Sequence, residues 1–161
     1  MFIALVFSIR AGEVSNRLTF GSCNKFFNTM ESSIFTTIAD TEPDYFVWLG
    51  DVVYADGFFF LNVHYVIDDE GELRANFDNT YNDPYYSILR NATEILGVWD
   101  DHDYGINNGD KYFSNKVMMR EIWLDFMDEP KDSIRRTREG GIYESYDLYD
   151  GKVKLILLDV R

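Results

Sequence analysis

The chain has 161 residues, enough for one domain with a real core, and its 46% hydrophobic and 27% charged content is that of a globular protein. A balance of 15 Lys+Arg against 28 Asp+Glu gives a formal net charge of -13. That excludes a general nucleic-acid surface, which would be basic, and the single cysteine, Cys23, excludes an internal disulfide.

The chain opens on Met1-Phe2-Ile3-Ala4-Leu5-Val6-Phe7, far short of the ~20 apolar residues that span a bilayer, so no stable membrane insertion is expected. Residues 1–16 read as a signal-peptide remnant or an N-terminal extension. A first strand is the other reading of this stretch, and the polar turn from Arg10 to Asn16 favours the remnant. Asn91-Ala92-Thr93 is a glycosylation sequon, which matters only on a secretory route. Arg17 to Ser22 reads as a strand, with Leu18 and Phe20 alternating with polar residues. Asn28 and Glu31 have the spacing of a helix-capping pair, followed by the apolar face Ile34, Phe35, Ile38 and Ala39, with Pro43 closing the helix. The continuous run Asp44 to Leu49 predicts a strand buried on both faces, stopping at Gly50-Asp51.

Gly57 to Tyr81 is expected to be an irregular excursion or small hairpin, with Asp68-Asp69-Glu70-Gly71 as an acidic turn. Asp83-Pro84 starts a short helix with Pro at its first position and Tyr85, Ile88 and Leu89 as its face. Glu94 to Trp99 is a further buried strand running into Asp100-Asp101-His102-Asp103. Ser114 to Met127 is a helix with Met118, Ile122 and Phe126 in one row and Met119, Trp123 and Met127 in the next, a pattern of core packing. Ile142 to Tyr149, the turn Asp150-Gly151 and Lys152 to Val160 predict a β-hairpin. Strands alternating with helices imply an α/β fold with layered helices, whose ligands gather beyond the carboxyl ends of the strands.

Three of these strands end in residues able to bind a metal: Cys23-Asn24 after the first, Asp51 with Tyr54 three residues on, and Asp100-Asp101-His102-Asp103 after the third. If the strands run parallel, the three clusters meet at one edge of the sheet. Carboxylate, imidazole, phenolate and thiolate together suit a hard or redox-capable metal, and a carboxylate between two cations can bridge them. Each residue also has a plainer reading. Cys23 alone would be a small buried apolar residue. Asp51 could cap a turn, Tyr54 could be core, and Asp56, Asp100 and Asp103 could orient the ligands or simply be solvated. His64 has no motif around it and is taken as structural. Arg135-Arg136-Thr137-Arg138 reads as a solvated basic loop, with phosphate attraction as the alternative.

The segments Phe20-Gly21-Ser22-Cys23-Asn24-Lys25, Leu49-Gly50-Asp51-Val52-Val53-Tyr54-Ala55-Asp56 and Gly97-Val98-Trp99-Asp100-Asp101-His102-Asp103-Tyr104-Gly105 resemble the motifs of PhoD-like (alkaline phosphatase D) phosphatases, within the metallophosphoesterase superfamily. Asn82 to Tyr86 and Leu157 to Arg161 fit the same pattern, so the resemblance runs from about Leu18 to the last residue. It implies a metallophosphatase-like layered α/β sandwich, with residues 17–161 a partial domain. It further implies Cys23 and Tyr54 as thiolate and phenolate ligands of a ferric ion and Asp51 as the carboxylate bridging the metals. Asp101 would be a ligand of a second metal, with Asn107 or Asn108 as alternatives, and His102 a transition-state donor or general acid. Calcium is the second cation expected beside iron. Bound cations would also reconcile the acidic chain with an anionic substrate, because a metal inverts the local field.

Family members continue into a Gly-Asp-x-His segment and further His and Asp ligands, whereas this chain has only His64 and His102. About half of the site is therefore expected here. The expected activity is hydrolysis of phosphate monoesters or diesters on small molecules. The alternatives are a non-catalytic module binding metal or phosphate, or an inactive fragment of the enzyme. Oligomeric state is open at this point.

Overall fold

The computed structural model describes residues 3–11, 14–25, 34–56, 59–60, 63–64 and 66–161. In chain order the elements are β1 (Ile3–Ala11), β2 (Val14–Ser22), α1 (Ile34–Ala39), β3 (Tyr45–Leu49), β4 (Phe59–Phe60), β5 (Val63–His64), α2 (Glu70–Tyr81), α3 (Pro84–Ala92), β6 (Glu94–Val98), α4 (Asp101–Tyr104), α5 (Lys116–Phe126), α6 (Ile134–Thr137), β7 (Glu144–Leu148) and β8 (Val153–Leu157). The expected capping pair Asn28 and Glu31 lies outside the described residues.

The four-stranded sheet has the order β1-β2-β3-β6. β1 is antiparallel to β2, while β2, β3 and β6 are parallel. β2 starts three residues before the expected Arg17, because Val14, Ser15 and Asn16 pair with Ala11, Arg10 and Ile9 at the end of β1. The parallel trio is the α/β core foreseen from the apolar runs, and it aims three carboxyl ends the same way.

β3 sits between two strands, and its apolar run is buried accordingly: Phe46, Val47 and Trp48 are each at most 1% exposed. Trp48 meets Phe35 of α1 edge-on, with centroids 5.9 Å apart, and Tyr86 of α3 at 5.8 Å. Its indole Nε1 donates to the Tyr86 hydroxyl at 2.9 Å, which satisfies both polar groups in the core. Each such buried aromatic contributes about 1.5–3 kcal/mol of transfer free energy. Gly97 faces Trp48 across the β3–β6 pair, and a Cβ there would stand 2.8 Å from Trp48 Cβ.

Three expectations are corrected. The Gly57–Tyr81 stretch holds the small hairpin β4–β5, but it also holds the twelve-residue helix α2. Asp69, read as part of a turn, is its N-cap and accepts from Glu72 N at 2.9 Å, while Glu70 and Glu72 complement the helix dipole. The buried face of α3 is Tyr86 and Leu89, with Tyr85 and Ile88 at 38% and 45% exposure, because only Tyr86 brings a hydroxyl to the buried Trp48 N–H. Asp83 caps that helix as its position before Pro84 foretold.

The third correction is the basic run. Arg135 is 1% exposed, not solvated. Its guanidinium donates to Glu129 Oε2 at 2.8 Å, Ile142 O at 3.1 Å and Gly97 O at 2.9 Å, tying α6 to β6. Arg136, also buried, pairs with Glu121 at 2.7 Å and Asp125 at 2.9 Å. Fully satisfied donors are what allow charge inside a core. α5 buries Met119, Ile122, Trp123, Leu124 and Phe126, following its expected rows. The hairpin β7–β8 turns through Tyr149, Asp150 and Gly151, all at positive φ, and Tyr149 meets Tyr45 of β3 edge-on at 5.3 Å.

Candidate metal centre

The three ligand-bearing loops leave β2, β3 and β6 side by side and are stitched together by backbone. Cys23 N donates to Gly50 O at 3.3 Å and Asn24 N to Asp51 O at 2.7 Å. The buried Asn24 amide adds a bond to Val52 O at 3.1 Å, and Ala55 N donates to His102 O at 3.2 Å. Gly50 has φ +93, and a Cβ on it would fall 2.4 Å from Asp100 Cβ, so the β3 and β6 loops touch only because this residue is glycine. Cys23, Asp51 and Asn108 have φ of 59°, 55° and 56°, a left-handed backbone that costs non-glycine residues about 1–3 kcal/mol each. At Cys23 and Asp51 this strained backbone goes with side chains that meet each other, Sγ to Oδ2 at 3.6 Å.

Asp51 is the hub. It is 9% exposed, and its Oδ2 accepts from Cys23 Sγ at 3.6 Å. Its buried Oδ1 has no hydrogen-bond partner among the described residues. Donor atoms of Asp51, Asp101 and His102 lie within 4.8 Å of one another. The Tyr54 ring lies 4.1 Å from the His102 ring and close enough to Asp51 and Cys23 for both to act on its phenol. Asp51 thus links the Cys23 thiol to the Asp101–His102 group, with Tyr54 packed on the imidazole.

The surrounding groups hold these ligands. His102 Nδ1 lies 2.8 Å from Asp56 Oδ2, a close contact without a well-aligned hydrogen bond. This leaves Nε2 as the ring nitrogen available to a ligand. Asp103 is fully buried; its carboxylate accepts from Val53 N at 2.8 Å and Asp100 N at 3.1 Å, joining the β3 loop to α4. Asp101 Oδ2 accepts from Asn108 N at 2.6 Å.

Electrostatically the cluster is dominated by burial and by its carboxylates. Burial raises the Asp51 pKa; His102 opposes this, and Asp101 and Asp100 add to it. Burial also pushes the Tyr54 phenol up, followed by the charges of Asp51 and Cys23. Burial pushes Asp103 up to about 8 against the backbone bonds it accepts. A cation would relieve this repulsion, and the orphaned Asp51 oxygen offers it a lone pair. The donor set of thiol, phenol, carboxylates and imidazole fits a metal centre.

Of the residues named from sequence, the fold brings together Cys23, Asp51, Tyr54, Asp101 and His102. Asn108 is exposed and meets the group through its backbone N–H; its neighbour Asn107 is exposed as well. The side chain of His64 lies outside the described residues. Two residues not singled out as site residues, Asp159 and Arg161, reach the rim of the cluster through Trp99 and Asp100.

A family model for PhoD-like phosphatases matches residues 18–120, which include every one of the ligand-bearing loops. The chain belongs to the PhoD-like phosphatase family. No curated protein and no solved structure matches it. A PhoD-like chain is of phosphatase type, a hydrolase of phosphorylated small molecules, and its Asp51-Asp101-His102 group is compatible with metal use. Among the described residues no helix is long and apolar enough to cross a membrane.

Proposed function

We propose that this chain carries a metal-dependent phosphoesterase site that hydrolyses phosphate monoesters or diesters. The observation that carries the reading is the buried Oδ1 of Asp51, unpartnered among the described residues, in a group with the donor atoms of Asp101 and His102 and beside the Cys23 thiol. In this reading residues 17–161 are part of the catalytic domain. Cys23, Tyr54 and Asp51 would hold a ferric ion, and Asp51 with Asp101 and Asn108 would hold a calcium ion. When bound, these cations would supply Lewis acidity and an activated water.

The chain's own residues do the rest. The αL turns at Cys23 and Asp51 aim ligands inward and the Gly50 contact keeps the β3 and β6 loops in register. Asp56, 2.8 Å from Nδ1, fixes the His102 ring so that Nε2 faces the site. His102 donates a proton to the departing alkoxide, or a hydrogen bond to the charge growing on the phosphoryl oxygens. Tyr54, packed against the imidazole with the rings tilted by 32°, limits its rotation.

The test is hydrolysis of p-nitrophenyl phosphate and bis-p-nitrophenyl phosphate with and without chelator, on the wild type, Asp51→Asn and His102→Ala. Turnover abolished by chelator and by Asp51→Asn supports the reading. Metal or phosphate binding with no turnover would replace it with the binding-module reading.

A further inference from the structure

The segment after β8 returns to the edge of the metal centre and grips it at two points. Asp159 is the anchor. Its carboxylate accepts from Trp99 Nε1 at 2.8 Å, Ile142 N at 2.7 Å and Arg161 N at 3.0 Å. A Cβ on Gly141 would stand 2.2 Å from Asp159 Oδ2, so this close approach needs the glycine. The anchor fixes the backbone of Arg161 beside Trp99, the residue just before the Asp100–Asp103 turn.

Arg161 is then the grip. Its Nε donates to Asp100 Oδ1 at 2.7 Å, Nη2 reaches the same oxygen, and Nη1 points to Gly109 O at 3.4 Å. Asp100 is the N-cap of α4, immediately before Asp101. Gly109 immediately follows Asn108, whose N–H holds the Asp101 carboxylate. One guanidinium therefore bridges both ends of the loop that closes on Asp101.

We propose that Arg161 is a positioning residue for the metal centre, acting through Asp100 and Gly109 to set Asp101 and the 106–109 turn, with Asp159 as its anchor. The proposal rests on the metal reading above for its functional consequence, while the grip itself does not. Arginine suits the role because its planar fork holds two acceptors at a fixed separation; lysine offers a single point of charge. Partners of metal ligands one layer out typically contribute about 10–100-fold to metal affinity.

Two measurements on the full chain separate the parts. The first is amide hydrogen exchange of Asn108 by NMR in metal-free protein. The second is Mn2+ binding by isothermal titration calorimetry. Both use the wild type, Arg161→Gln, Arg161→Lys, Asp100→Asn and the Arg161→Gln/Asp100→Asn double variant. The expected result is faster Asn108 exchange in Arg161→Gln and Mn2+ affinity lower by about 10-fold or more, with Arg161→Lys between it and the wild type. In the Asp100→Asn background Arg161→Gln should have little further effect, because the two act as one unit. Unchanged Asn108 exchange overturns the grip whatever the metal does. Faster exchange with unchanged Mn2+ affinity, or equal losses in both Asp100 backgrounds, overturns the positioning role. A wild type that binds no Mn2+ but shows the exchange effect sinks the metal reading and the positioning role with it, leaving the grip as a purely structural contact.

Discussion

Replacing Gly50 with alanine should separate the site's two halves, and the cost can be worked from the backbone. At φ +93 an added side chain meets a left-handed penalty of about 1–2 kcal/mol. Its Cβ would also lie 2.4 Å from Asp100 Cβ and 2.7 Å from Asp100 N. These are backbone-anchored atoms that cannot swing away, so an overpacking cost of about 1–3 kcal/mol adds to the first. The sum, roughly 2–5 kcal/mol, is a large share of the ~5–15 kcal/mol that holds a typical domain folded. Gly151→Ala is the control: its φ is +79, but nothing lies within 4 Å of the added Cβ, so it carries only the backbone part. Urea denaturation of both variants isolates the contact between the loops. The account expects Gly50→Ala to lose at least about 1 kcal/mol more than Gly151→Ala. Equal losses would refute the claim that the β3 and β6 loops are held in register by this close approach.

Arg135→Met should cost about 3–5 kcal/mol in urea denaturation, because it strands the Glu129 carboxylate and the carbonyls of Ile142 and Gly97. Lys154→Gln, which removes an exposed pair with Asp147, should change stability by less than about 0.5 kcal/mol in the same assay. Asp103, held protonated up to about 8 by burial, sets a pH slope in the metal-free protein. Between about pH 4 and pH 8 the unfolded chain has lost a proton that the folded chain keeps, so stability should fall as pH rises through that window. Asp103→Asn should flatten this slope in thermal melts taken across the range; an unchanged slope would contradict the assignment. Asp56→Asn should lower kcat for p-nitrophenyl phosphate by about 10-fold while KM changes little, read from steady-state kinetics.

The carboxyl ends of β2, β3 and β6 were legible because long apolar runs that stop at polar residues mark strands feeding a site, and a parallel order follows from intervening helices. The α5 rows and the Asp150-Gly151 turn were legible for equally local reasons, helical periodicity and the demand for positive φ; the turn also takes in Tyr149, read as strand. What escaped was decided by partners distant in sequence. α2 hides behind an acidic stretch with Gly71 in its first turn, although Leu73 and Phe77 already carry the four-residue spacing that could have exposed it. The α3 face turns on the Trp48–Tyr86 bond, 38 residues apart. Arg135 looks like one of three exposed cations until Glu129, Ile142 and Gly97 converge on it. Asp56 could be named only as one of several acidic residues near the site; its place against His102 needed the loops to be folded.

The central claim is that Asp51 is the shared ligand of a metal centre assembled from the three strand ends. Its most direct test is calorimetric titration of metal-free wild type and Asp51→Asn with Mn2+, with folding of both verified by circular dichroism. The account predicts specific binding to the wild type and a loss of affinity of at least about 100-fold in Asp51→Asn, because the variant keeps the shape of the side chain but not its charge. Equal affinity in two equally folded proteins would contradict it.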